Sequence, residues 1–143
     1  MGKVMAVCTS PAKGTQKTNV GEALFIEDFG LEGDGHAGKW HRQVSLLSHD
    51  KIEEFRKRGA EVADGAFGEN LVVEGFDFRN LPVGTRFRCN DVILEMTQIG
   101  KECHHGCEIF QKMGECIMPR EGVFAKVIKG GRIRTGDVME IMK

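Results

Sequence analysis

The sequence is short of proline, of long apolar runs and of any excess of one charge, and each shortage removes a class of protein. Lysine and arginine number 20 against 21 acidic residues, a formal net charge of −1. That balance leaves no basic footprint of the kind that grips a nucleic-acid backbone. No stretch approaches the length of a membrane span, and the opening "MGKVMAVCTSPAKGTQK" lacks the apolar core of a signal peptide. Proline occurs 3 times and glycine 19 times in 143 residues, so many glycine turns are favoured over long helices. The 5 cysteines are an odd number, and a closed disulfide framework cannot use them all. With no export signal, the thiols are expected to stay reduced in a cytoplasmic protein.

What is present suffices for one domain. Hydrophobic residues make up 41% and charged residues 29% of the chain, enough for a real core under an ordinary polar surface. Residues 1–143 show no repeat, linker or low-complexity segment and are read as a single domain. Gly2–Thr9, "GKVMAVCT", predicts a first strand closed by Pro11 and Gly14. "EALFIEDFGLEGDGHAG" predicts a short strand and then a glycine-punctuated loop, and "RQVSLLS" (Arg42–Ser48) another strand. Ser48 then opens the clearest helix, "SHDKIEEFRKRG". Ser48 is expected to cap it, acids lie early, bases lie late and Gly59 stops it, an order that complements the helix dipole. Ile52 and Phe55 give this helix only a narrow apolar stripe, so it is expected on a surface. From Phe67 onward the pattern is mainly β: "ENLVVEG", "TRFRCN", "VILEMTQIG", "VFAKVIKGG" and "DVMEIM", with a second short helix expected over His104–Met113. Many short strands with two short helices suggest a closed or partly closed barrel.

Two stretches carry chemistry. Thr97–Cys107, "TQIGKECHHGC", follows a strand and crowds Cys103, His104, His105 and Cys107 together, with Cys116 further on. Structural zinc sites pair ligands from two separate clusters, whereas here there is one cluster without C-x-x-C spacing. Buried reduced cysteine with exposed histidine is the plainer alternative. Cys103 stands out by position, just past a strand and beside Lys101, where a helix start and an ammonium both favour thiolate, although Glu102 opposes it. Thiolate is the form that attacks, carries a persulfide or ligates a soft metal.

The second stretch, "GLEGDGHAGKWHRQVSLLS", brings Gly30, Gly33, Gly35 and Gly38 together with Asp34, His36, His41 and Arg42. Glycines let backbone amides approach a ligand, and Arg42 offers a planar fork for an oxyanion. It matches neither the P-loop nor the dinucleotide fingerprint, and a plain surface loop stays open as the alternative. In "GAFGENLVVEG", Asn70 suits either a heterocycle edge or a turn.

Taken in order, "GLEGDGHAG", "RQVSLLS", "FGENLVVEG", "LPVGTRFRCNDVILEMTQ", the following cysteine and "GVFAKVIKGGRIRTGDVMEI" resemble the MOSC domain, the C-terminal domain of molybdenum-cofactor sulfurases. The resemblance covers most of the chain and points to a small stand-alone member. It implies a mainly β, MOSC-type barrel similar to the β-barrel domain of pyruvate kinase, with a few short helices. It also implies a cysteine that transfers sulfur or meets the molybdenum of a pterin cofactor, and Cys103 matches that cysteine. Many relatives carry proline immediately before it, where this chain has Glu102 and the additional "HHGC". No room remains for an aminotransferase-like domain, so pyridoxal phosphate is not expected.

On this resemblance, Cys103 is the expected catalytic thiol and the ligand of any bound molybdenum. Gly33, Asp34, His36, Arg42, Asn70 and Lys101 are the expected cofactor-binding residues. Asn70 would meet the heterocycle, Arg42 with Lys101 the phosphate, and the amides of Gly33–Gly38 the anionic end. The expected function is sulfur transfer to the molybdenum cofactor, or its carriage, with a cysteine desulfurase and a recipient molybdoenzyme as partners and neither nucleic acid nor membrane. Two alternatives stay open. One is a small molybdenum-dependent reductase of N-hydroxylated compounds fed by an external electron donor. The other is a non-catalytic metal module built on Cys103, Cys107, Cys116 and His104.

Overall fold

The computed structural model describes residues 2–11, 17–35, 37–59, 64–65, 67–100 and 122–142. Its strands are β1 (Gly2–Thr9), β2 (Thr18–Asn19), β3 (Glu22–Ile26), β4 (Gly30–Leu31), β5 (Val44–Ser48), β6 (Leu71–Glu74), β7 (Arg86–Cys89), β8 (Val92–Ile99), β9 (Val123–Lys129), β10 (Gly131–Arg134) and β11 (Val138–Ile141). Helix α1 (His49–Lys57) lies between β5 and β6, and a 3-10 turn spans Phe78–Asn80. The fold is therefore mainly β, as the strand pattern predicts. The expected second helix over His104–Met113 lies outside the described residues.

Seven strands close on themselves in the order β11-β7-β8-β9-β5-β6-β1, with β1 returning to β11 and β2 added beside β1. Closure leaves no free edge among those seven. A small sheet, β10-β3-β4, stands beside the ring. The β5–β6 pair is parallel, the other pairings antiparallel. A parallel pair needs a crossover, and α1 supplies it.

That crossover explains the sequence of β5. All five of its residues are buried because it is covered on both faces. Val44 and Leu46 face the barrel core with Phe25, Phe78, Phe87, Leu94 and Met96. Leu47 faces the opposite way, into a second cluster of Ile52, Phe55, Phe67 and Phe124 under α1. The narrow stripe of Ile52 and Phe55 is enough to seat the helix, and Phe55 meets Phe67 edge-on at 5.6 Å. One expectation is corrected. Ser48 stands at the N-cap with extended backbone, yet its hydroxyl makes no capping hydrogen bond. It is buried as the last residue of β5.

Three register breaks interrupt the barrel pairs among the described residues, and two of them decide which way side chains point at its ends. In β1 the register steps from Val4↔Val73 to Ala6↔Val72, so Met5 is the extra residue. Val4 and Val7 consequently share the barrel core, while Ala6 and Cys8 face the helix cluster. In β8 the register steps from Met96↔Ala125 to Gln98↔Phe124, which makes Thr97 the extra residue. Val92, Leu94 and Met96 alternate into the core, and the bulge then breaks the alternation just before Gln98. That break brings Thr97 and Gln98 against His41 and Arg42.

Candidate functional site

The end of β8 and the start of β9 form a neck. Gly100 N–H donates to the Gly122 carbonyl at 2.7 Å, pinning together the two ends of the segment 101–121. Loop 38–43 is fastened against this neck. The bulged Thr97 donates its hydroxyl to the His41 carbonyl. Gln98 Oε1 receives Arg42 Nε–H at 3.2 Å and lies 2.9 Å from His41 Nε2. Gln98 Nε2 donates to the Gly100 carbonyl at 2.7 Å. The Arg42 guanidinium also stacks over Phe124, 5.1 Å from the ring centroid, a cation–π contact that holds its plane. His41 is exposed, whereas Arg42 and Gln98 are half-buried. One amide thus ties an imidazole and a guanidinium to the neck.

Arg42 is therefore held as an oxyanion fork needs to be. Its Nε is anchored and its face is packed, and the two terminal nitrogens make no hydrogen bond among the described residues. Lys101 and Cys103 are the first and third residues after Gly100, tied by the covalent chain to this end of β8. Lys101, Cys103, His104, Cys107, Cys116 and His36 all lie outside the described residues.

Asp34 and Asn70 join other networks. Asp34 Oδ1 receives Lys17 Nζ at 2.6 Å, with both side chains 0% exposed, and also the Ser10 backbone N–H at 3.2 Å. Gly35 N–H in turn donates to the Ser10 carbonyl. This carboxylate fastens the glycine loop to the chain leaving β1. Asn70 is wholly buried. Its Oδ1 accepts from Ser45 N–H at 2.9 Å and Ser45 Oγ at 3.1 Å, while its Nδ2 donates to the Cys8 carbonyl at 3.0 Å. The amide links β1, β5 and β6 and is engaged inside the fold. Gly33 is exposed with φ +81, and a Cβ there would meet nothing within 4 Å. Its glycine serves backbone conformation rather than close approach.

The neighbouring Glu69 is a buried acid that sequence reasoning passed over. Its carboxylate accepts from Gly65 N–H at 2.9 Å and Phe67 N–H at 3.0 Å. Burial pushes its pKa up to about 7; the backbone donors pull the other way, and desolvation outweighs them. Gly65 is required here, since with φ +93 a Cβ would lie 2.2 Å from the Lys17 carbonyl oxygen.

The thiols divide sharply. Cys8 and Cys89 are buried and unpaired. Burial, with Glu69 and Asp64 near Cys8 and Asp137 near Cys89, pushes each thiol up to about 12. Both are protonated near neutrality and are poor nucleophiles. Among the described residues no group of three or more His, Cys, Asp or Glu could hold a metal ion. No helix among them is long and apolar enough to cross a membrane.

The barrel finds its counterparts in one family. The MOSC domain model matches residues 33–140, and the chain belongs to the MOSC domain family, which is associated with molybdenum-cofactor proteins. In sequence it is similar to the uncharacterized protein YflK of Bacillus subtilis, 26% identical over 144 residues, covering 90% of this chain and 63% of YflK. It is also similar to a protein named Reductase from Gibberella moniliformis, 27% identical over 133 residues, covering 84% of this chain and 24% of that protein. The chain thus spans less than two thirds of either relative. Among solved structures, YuaD from Bacillus subtilis superposes with a TM-score of 0.81 at 19% identity, covering 99% of this chain and 96% of YuaD. YiiM from Escherichia coli does so with a TM-score of 0.66 at 21% identity, covering 99% and 70%. At such identities the likeness is one of fold.

Proposed function

We propose that this chain carries the molybdenum cofactor, or passes sulfur to it, through Cys103. The observation that carries the reading is the division of the thiols. Cys8 and Cys89 are buried with raised pKa values, which leaves the chemistry to Cys103, Cys107 and Cys116, and Cys103 matches the cysteine that follows the β8 strand in MOSC domains.

The neck supports one part of the cofactor's fit. The fixed guanidinium of Arg42 suits its phosphate, with Lys101 as a second cation. Of the Gly33–Gly38 amides expected at its anionic end, those of Asp34, Gly35, Ala37 and Gly38 donate within the fold, which leaves the Gly33 amide and His36 as candidates. Asn70 and Asp34 are engaged within the fold, so the reading does not rest on them. When bound, the cofactor supplies a molybdenum centre able to accept sulfur, and the chain's residues hold the anion and present the thiol. In transfer, a nucleophile attacks the outer sulfur of a Cys103 persulfide, the S–S bond breaks, and Cys103 leaves as thiolate with the bonding pair. A cysteine desulfurase would load that sulfur and a molybdoenzyme would receive the product.

A native mass spectrum of anaerobically purified protein from a molybdate-fed host, with metal analysis, tests the reading. A pterin-plus-molybdenum adduct or an added sulfur on Cys103 is expected. Zinc alone would replace it with a metal module of Cys103, Cys107, Cys116 and His104. The similarity to a protein named Reductase favours one second reading, reduction of N-hydroxylated compounds. Turnover of such a compound by cofactor-loaded protein with an external electron donor would establish it.

A further inference from the structure

Gln98 has a role that follows from hydrogen-bond polarity alone. Its amide could be placed two ways round, and only one is consistent. Arg42 Nε is always a donor and the Gly100 carbonyl always an acceptor. The reverse placement would set Nε2 against Arg42 Nε and Oε1 against the Gly100 oxygen, two repulsive pairs. Oε1 therefore faces Arg42 and His41, as found at 3.2 and 2.9 Å. An amide oxygen only accepts, so His41 Nε2 must carry the proton. In the neutral ring the basic nitrogen is then Nδ1, which has no hydrogen-bond partner among the described residues. Thr97 fixes the His41 carbonyl, and Trp40 meets the imidazole edge-on at 5.8 Å, so backbone and ring are both held.

We propose that Gln98 is a positioning residue which holds His41 as its Nε2–H tautomer, leaving Nδ1 as the ring's acceptor, and which aims the Arg42 fork by holding its Nε. The site takes a phosphate-type oxyanion. The terminal nitrogens of Arg42 bind the oxygens, with Nε held by Gln98 and the guanidinium face packed on Phe124. The assignment of that oxyanion to the cofactor's phosphate rests on the function proposed above; the tautomer does not.

Long-range 1H–15N spectroscopy of the imidazoles in the full chain, followed by titration with inorganic phosphate, tests this. Wild type is expected to show neutral His41 protonated at Nε2. Gln98→Ala is expected to mix the tautomers and weaken phosphate about fivefold, the scale of one net hydrogen bond. Gln98→Glu keeps the acceptor and is expected to keep the Nε2–H signature. It loses the bond to Gly100 and weakens phosphate by partly neutralising Arg42. An Nδ1–H ring in wild type, or an unchanged tautomer in folded Gln98→Ala, overturns the positioning role. Unchanged phosphate affinity in both variants overturns the oxyanion site. Added cofactor is expected to displace phosphate from Arg42; simultaneous binding of both would overturn the cofactor assignment while leaving the tautomer intact.

Discussion

Raising the pH from about 5 to about 8 should destabilise this fold through Glu69. The free side chain titrates near 4.5, and the buried one is pushed up to about 7. Between those values the folded protein binds a proton that the unfolded chain has released, so stability falls as pH rises across the window. The stabilisation is complete below the unfolded value and is lost as pH passes the folded one. A difference of roughly 2.5 units corresponds to about 3 kcal/mol. With a urea dependence of about 2 kcal/mol per molar, the unfolding midpoint should drop by about 1.5 M. Glu69→Gln removes the titration but keeps one acceptor for the Gly65 and Phe67 amides, pointing an N–H at the other. The variant should be less stable at low pH and show a flatter profile. Other titrating groups are common to both proteins and cancel in the difference between the two curves. Parallel curves would refute the assignment of a raised pKa to Glu69.

The buried Lys17–Asp34 pair should behave as a unit: Lys17→Met alone is expected to cost about 3–5 kcal/mol by taking the ammonium from a buried carboxylate. Lys17→Met with Asp34→Leu should cost less than the sum of the singles in a thermal or urea double-mutant cycle; strict additivity would contradict the pair. Asn70→Asp should lower stability by about 2–4 kcal/mol, because it cannot donate to the Cys8 carbonyl and buries a charge. A variant of wild-type stability that had lost cofactor would make Asn70 a ligand residue instead. In native protein a thiol reagent should leave Cys8 and Cys89 unmodified, and denaturant should expose both; native modification of either, read by peptide mapping, would undo the division of the thiols.

Much of the barrel was legible because burial imposes period. The strands β7 and β8 read from a partial alternation and the Asn90–Asp91 turn signal between them, and Asn90 has the left-handed φ of +57 that such a turn needs. The β5–α1 junction reads from an apolar run passing into ordered charges. The two-residue strands β2 and β4 carry no period, and β10 begins on a glycine and alternates arginine with little apolar content. The Thr97 bulge leaves no trace in residue type, because one inserted residue changes register rather than composition. For that reason Gln98 went unnoticed although "EMTQ" departs from the apolar alternation before it. Asn70 looked like a ligand residue because its amide can both donate and accept, and Asp34 because it is polar between glycines. Their partners, Ser45 and Lys17, are 25 and 17 residues away in sequence, and only the closed fold brings them together. The six ordered segments of the family pattern, by contrast, were visible from sequence throughout.

We propose Cys103 as the working thiol. Incubating the reduced protein with a cysteine desulfurase and L-cysteine, then mapping sulfane sulfur by peptide mass spectrometry, tests it most directly. One added sulfur is expected on the peptide at Cys103, absent in Cys103→Ser. Sulfur on Cys107 or Cys116 alone, or equal loading of the Cys103→Ser protein, would contradict it.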